Sequence, residues 1–204
     1  MEMEMEFEVA DWESTRVLND LLGRGSSLAE VVAFCRDAVA QATYGGRESE
    51  RIYLQGRLAG ILVAKGQFES AVQEYDEIWP GTITPAQYGL EYVKLLLRLG
   101  KQREASKVLE EMQASINETA DARRPNRSYF DRLAVLLAEG LLEVRRGNKL
   151  LVQRVCDDIV ALAPYLPWVP YVDTEFLDAL VLSHEYECAR QVLEFIAKVR
   201  PRRH

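Results

Sequence analysis

Along most of this chain apolar residues recur at spacings of three and four, the period of a helix with one buried face. From residue 12 onward the pattern predicts ten helices, at about 12–22, 28–43, 48–65, 68–79, 86–99, 102–118, 129–146, 149–162, 175–183 and 186–199. Short polar signals mark their ends. Ser27-Leu-Ala-Glu30 is a capping box, whose hydroxyl and carboxylate each take an otherwise open backbone N–H. Asp11 is placed to cap the first helix, and Gly23 and Gly25 to end it; Gly45-Gly46 ends the second. Trp79-Pro80-Gly81 closes the fourth, and Thr84-Pro85 has the cap-then-proline order of a helix start. Ser128 reopens helix after an Arg-rich linker at 119–127, and Pro164, Pro167 and Pro170 force an extended passage.

Residues 1–9 follow a different rule. Met1, Met3, Met5, Phe7 and Val9 alternate with Glu2, Glu4, Glu6 and Glu8, a period of two. Three readings stay open: a disordered tail, an extension of the first helix, or a strand that pairs with another chain.

Four stretches between helical runs are near copies. They are Ala64-Lys-Gly-Gln-Phe-Glu-Ser-Ala71, Arg98-Leu-Gly-Lys-Gln-Arg-Glu-Ala105, Arg145-Arg-Gly-Asn-Lys-Leu-Leu-Val152 and Leu182-Ser-His-Glu-Tyr-Glu-Cys-Ala189. Gly66, Ala71, Tyr75 and Ile78 meet Gly100, Ala105, Leu109 and Met112 at a constant offset of 34 residues. A fixed period of that size signals stacked supersecondary units. With Leu58, Ala59, Leu62, Phe68 and Pro80, and with the looser copies ending at Pro164 and Pro201, this order resembles tetratricopeptide repeats over about residues 48–201. The resemblance implies an all-α, right-handed superhelical array of antiparallel helix pairs. It divides the chain into an extended or disordered segment (1–10), a capping helix pair (11–46), a repeat array (47–201) and a basic tail (202–204).

In that family the first helix of each pair lines a concave groove. The corresponding positions here are Tyr53, Gly56, Gly60 and Val63, then Gln87, Leu90, Lys94, Leu97 and Arg98, then Leu137, Leu141, Val144 and Arg145. Gly56 and Gly60, one turn apart, either leave a trough for a partner or allow close packing on a neighbouring helix. A largely apolar concavity suits an amphipathic helix or an extended peptide. Lys94, Arg98 and Arg145 are its only basic positions and no Asn joins them, so capture of acidic C-terminal tails is not expected. Arg123, Arg124 and Arg127, with Arg145, Arg146, Lys149 and Arg154, form two further basic clusters that could jointly touch an acidic partner.

Composition narrows the function classes. The 204 residues are 48% apolar, as in a globular protein, and hold no apolar run of membrane-spanning length. The opening Met-Glu alternation lacks the basic start and apolar core of a signal peptide, which gives a cytoplasmic expectation. Cys35, Cys156 and Cys188 sit in apolar helical patterns and are expected as buried, reduced thiols. Net charge is −7, concentrated in residues 1–30, which carry eight acids against Arg16 and Arg24. That balance and the lack of interleaved aromatic and basic residues argue against nucleic acid. His184-Glu185-Tyr-Glu-Cys188 echoes a zinc helix, but a turn falls at His184 and Cys replaces the second His. No phosphate loop, nucleophile elbow or paired-Cys pattern occurs. The expectation is a non-enzymatic protein-protein interaction module without cofactor: an adaptor, scaffold or chaperone-like protein binding a protein or peptide segment in the groove. A partner- or ligand-sensing domain of a signalling or transcription-regulatory system is the alternative. Homo-oligomerisation stays open.

Overall fold

The computed structural model of the chain describes residues 12–79, 86–118, 125–166 and 174–199. They form α1 (Glu13–Gly23), α2 (Leu28–Tyr44), α3 (Glu48–Ala64), α4 (Phe68–Ile78), α5 (Ala86–Arg98), α6 (Gln102–Glu118), α7 (Pro125–Arg146), α8 (Lys149–Ala161), α9 (Thr174–Leu182) and α10 (Tyr186–Val199). A 3-10 turn at Ala163–Tyr165 follows α8, and no strand occurs among the described residues. The alternating segment 1–9 and most of the expected linker and proline passage lie outside them.

Nine helices match the sequence reading to within a residue at each end. The exception is α7, which begins at Pro125 rather than at 129. Proline is favoured at the first helical position, where its missing N–H has no intrahelical acceptor to lose. At the start of the chain Trp12, not Asp11, holds the N-cap position of α1, without a side-chain cap. The capping box at Ser27 forms as expected, with Glu30 Oε2 accepting from the Ser27 backbone N–H at 2.8 Å.

Six helix ends close in one way. Gly25, Gly46, Gly66, Gly100 and Gly147 have φ between +65° and +73°, and His184 takes φ +61° in the equivalent place. Each donates its N–H three residues back, and the next residue reaches five back: Gln67 N–H to the Leu62 carbonyl at 2.9 Å, Lys101 to Leu96 at 2.9 Å, Asn148 to Glu143 at 3.0 Å, Glu185 to Leu180 at 2.8 Å. This pairing satisfies carbonyls that a helix end leaves open, and it needs a left-handed residue that glycine supplies without strain. Five residues after the last four of these turns stand buried Ala71, Ala105, Val152 and Ala189.

The chain divides into two compact units, Met1–Ile83 and Thr84–His204. In the first, α1 packs on α2, α2 on α3 and α3 on α4, around fully buried Leu18, Leu54 and Leu58. In the second, α5 pairs with α6, α7 with α8 and α9 with α10; α7 also packs on α5, α6 and α9, and α8 on α10. This unit is the denser around α7. A Cβ built on Gly140 would lie 2.6 Å from Phe176 Cε2 and 3.2 Å from Val155 Cγ1, and the Phe176 ring is fully buried. Hydrogen alone fits there, so Gly140 sets how closely α8 and α9 approach α7.

Gly60 is the contrast: it is exposed in mid-helix α3, and a Cβ would meet nothing within 4 Å. Equilibrium urea unfolding should therefore give opposite signs for two identical substitutions. Gly140→Ala is expected to destabilise by about 1–3 kcal/mol through overpacking. Gly60→Ala is expected to stabilise by roughly 0.5–1 kcal/mol by removing backbone freedom from a helix interior. Equal effects at both positions would contradict the packing around Phe176.

Candidate interaction face

In the first unit the expected groove positions lie on α3. Tyr53 is half-buried, with the Trp12 ring edge-on at 5.6 Å between centroids and 62° between planes. Gly56 is buried, Gly60 is exposed and Val63 is half-buried. Beside them runs a polar seam. Gln55 is 1% exposed; its Oε1 accepts from Arg51, which also binds Glu48, and its Nε2 donates to Glu77 Oε2 on α4 at 2.6 Å. Burial pushes the nearby Glu74 carboxyl above its usual range, an effect that Glu77 reinforces and Arg36 opposes. Glu50, 3% exposed, accepts from Ser14 on α1, and its Oε2 lies 2.6 Å from Arg47 Nη1 as an ion pair without hydrogen-bond geometry.

In the second unit the first helices α5, α7 and α9 lie side by side through the packing of α7 on both neighbours. Gln87, Arg98 and Arg145 are exposed, while Lys94 and Val144 are half-buried. Lys94 Nζ lies 3.0 Å from Glu91 Oε1. Arg98 reaches across from α5 to α9, where its Nη2 donates to Glu175 Oε2 at 3.2 Å and its Nε to Oε1 at 3.4 Å. Nothing in the sequence pointed to Glu175 except its place in an acidic first turn, which suits a helix N-terminus in any case.

Five of the groove positions are covered, and at Gly56 the structure takes the close-packing alternative. Gly56, Leu90, Leu97, Leu137 and Leu141 are buried within their own units, the four leucines at 5–8% exposure. Helical phase identifies a shared face but not whether neighbours cover it; α5 packs on both α6 and α7, and α7 on α5, α6, α8 and α9. What remains outward on this face is polar at Gln87, Arg98 and Arg145, in place of the apolar concavity the sequence suggested.

The second basic cluster has partners within its own unit. Arg146 pairs with buried Glu143 at 2.6 Å and donates to Ser106 Oγ on α6 at 2.8 Å. Lys149 Nζ lies 2.9 Å from Glu185 Oε1, and Arg154 lies 3.9 Å from Asp158. Three of the four charges thus meet acids of the same unit; Arg146 through Ser106 and Lys149 through Glu185 also reach another element. Arg123 and Arg124 lie outside the described residues.

The three cysteines are free and buried, as expected. Burial pushes the Cys35 thiol up to about 11 and the Cys156 thiol higher still, the neighbouring Cys188 adding to the latter, and Cys188 Sγ donates to Gln153 Oε1 at 3.2 Å. No described helix is long and apolar enough to cross a membrane. No known family model, curated protein or solved structure matches the chain.

Half-buried Glu139 on α7 offers an electrostatic check of this face's support. Burial raises its carboxyl above the usual range; Arg154 opposes the rise, and Glu143 and Asp158 add to it. A carboxyl that holds its proton more tightly when folded favours the native state at acidic pH. That contribution is lost as pH rises from the ordinary carboxylate range through the raised value. Glu139→Gln should therefore be more stable than the parent at about pH 8, with the gap closing toward about pH 4, where parent carboxylates protonate. Urea midpoints across that range measure it, and a gap that widens on acidification would show the opposite sign.

Proposed function

We propose that this protein is a non-enzymatic interaction module, an adaptor, scaffold or chaperone-like protein. In this reading it is a right-handed superhelical array of antiparallel helix pairs related in plan to tetratricopeptide repeats, and it receives a protein segment on the face of its first helices. The observation that carries the reading is the recurrence of one turn geometry at Gly66, Gly100, Gly147 and His184, each followed five residues on by a buried small or β-branched side chain. One turn geometry recurring at intervals of 34, 47 and 37 residues supports a modular array, and such arrays present extended faces more readily than enclosed sites.

The side-by-side packing of α5, α7 and α9 supports the choice of face, and its exposed polar positions favour a segment bound through hydrogen bonds and charge over a purely apolar helix. The Arg98–Glu175 bridge supplies a ready exchange partner: an incoming carboxylate competes for the guanidinium, an incoming cation for the carboxylate.

Site-specific photo-crosslinking tests this. A photoreactive residue at Gln87 or Arg145 in the full chain, exposed to native lysate, is expected to trap a shared protein partner identified by mass spectrometry. The same group at Lys107, whose side chain is 77% exposed on the second helix of its pair, is expected to trap none of it. Equal trapping from Lys107, or no adduct from either first-helix position, would overturn the assignment of this face.

A further inference from the structure

Cys156 on α8 and Cys188 on α10 are both buried in the seam where these two helices pack. Gln153 stands one turn before Cys156 on α8, and Gln191 one turn after Cys188 on α10. Hydrogen bonds set these two short rows against each other. Gln153 Oε1 accepts from Cys188 Sγ at 3.2 Å, and Gln153 Nε2 donates to Gln191 Oε1 at 3.0 Å. The two thiols are neighbours within this cluster. Burial raises both, and their mutual contact raises Cys156 further while offsetting part of the rise at Cys188. Cys35, the third cysteine of the chain, lies on α2 in the other compact unit.

We infer that Cys156 and Cys188 are a redox-controlled pair that closes to a disulfide tying α10 to α8, with a small dialkyl disulfide such as oxidised glutathione as the oxidant. The exchange runs in two steps. The Cys188 thiolate attacks one sulfur of the oxidant and expels the other half as a thiolate. The Cys156 thiolate then attacks the Cys188 sulfur and expels the second half. Each cysteine's proton ends on a departing thiolate, so one disulfide is consumed, one forms and two small thiols are released. Cys188 reacts first because half-buried Gln153 and Gln191 place it at the edge of the seam, and because Cys156 supports its thiolate. The product carries no charge, so the buried setting that keeps both thiols protonated does not oppose it. That setting does oppose a cation held by two thiolates. Neither sulfur is open to a molecule the size of the oxidant, so α10 must lift from α8 before the first step. Once made, the bond closes the loop from 156 to 188 and resists the opening that admitted the oxidant. The pair thus converts a change in redox conditions into a change in how firmly α10 is held. It does not depend on the partner-binding face argued above.

Incubation of the full chain with excess oxidised glutathione in native buffer, then acid quenching and mass spectrometry, tests the inference. The expected product has lost two hydrogens, keeps a free thiol at Cys35 and yields a peptide pair joining Cys156 to Cys188. Its melting temperature should rise by about 5–10 °C and fall back when the bond is reduced. Cys35→Ser should leave both results unchanged, and Cys188→Ser, whose hydroxyl can still donate to Gln153, should abolish both. The parent and Cys35→Ser arms decide the matter even if Cys188→Ser fails to fold. Three thiols still free after treatment, glutathione retained on Cys188 without closure, pairing through Cys35, or a disulfide that leaves the melting temperature unchanged or lower would each overturn it.

Discussion

A helix can fold back on itself within two residues only if one of them takes a left-handed backbone, because right-handed geometry would carry the chain onward. Among the described residues this protein meets that demand six times with the same pair of backbone hydrogen bonds, and the pairing of its helices rests on it. The turn brings the second helix against the first at a fixed offset, which is why the position five residues later is small or β-branched and buried in four successive pairs. His184 shows how strong the demand is. A histidine accepts φ +61°, a conformation that favours glycine, and offsets part of the strain with a local 2.8 Å hydrogen bond between its Nδ1 and Tyr186 Oη.

Because the turns are chemically explicit, the helices were legible from sequence almost to the residue. Glycine, capping box and apolar period agree on the same boundaries, and local signals that agree leave little for tertiary context to override. The one displaced start, α7, was also locally encoded: Pro125 sits where a first helical residue belongs, and weight given instead to Ser128 moved the boundary by four residues.

The interaction face was less legible for a physical reason. Period fixes which residues share a face of a helix but not whether another helix covers that face. Leu90, Leu97, Leu137 and Leu141 share a phase with Gln87 and Arg145, yet the packed unit buries the leucines and leaves the polar residues outside. Pairing between distant charges is beyond a periodic reading altogether. Arg98 and Glu175 lie 77 residues apart and meet only because three first helices pack side by side. Within the basic run from Arg145 to Arg154, Arg146 and Arg154 meet acids three and four residues away on their own helices, and only the Lys149–Glu185 pair depends on the fold.

Uniform turns raise a problem of their own, since pairs that close identically could in principle stack in the wrong order. The seams between helices resolve it, because each is chemically distinct. Between α3 and α4 it is polar, with Gln55 bridging Arg51 and Glu77. At the junction of α7, α8 and α9 it is steric, with the Phe176 ring seated where only a glycine leaves room. Between α8 and α10 it is a small polar cluster, in which Gln153 accepts from Cys188 and donates to Gln191 at 3.0 Å. A displaced pair would leave a buried amide unsatisfied or drive a ring into a side chain, and both penalties are large beside the cost of slipping one leucine for another. The turn residues thus decide where the chain reverses, and the unequal seams decide which pair accepts which neighbour.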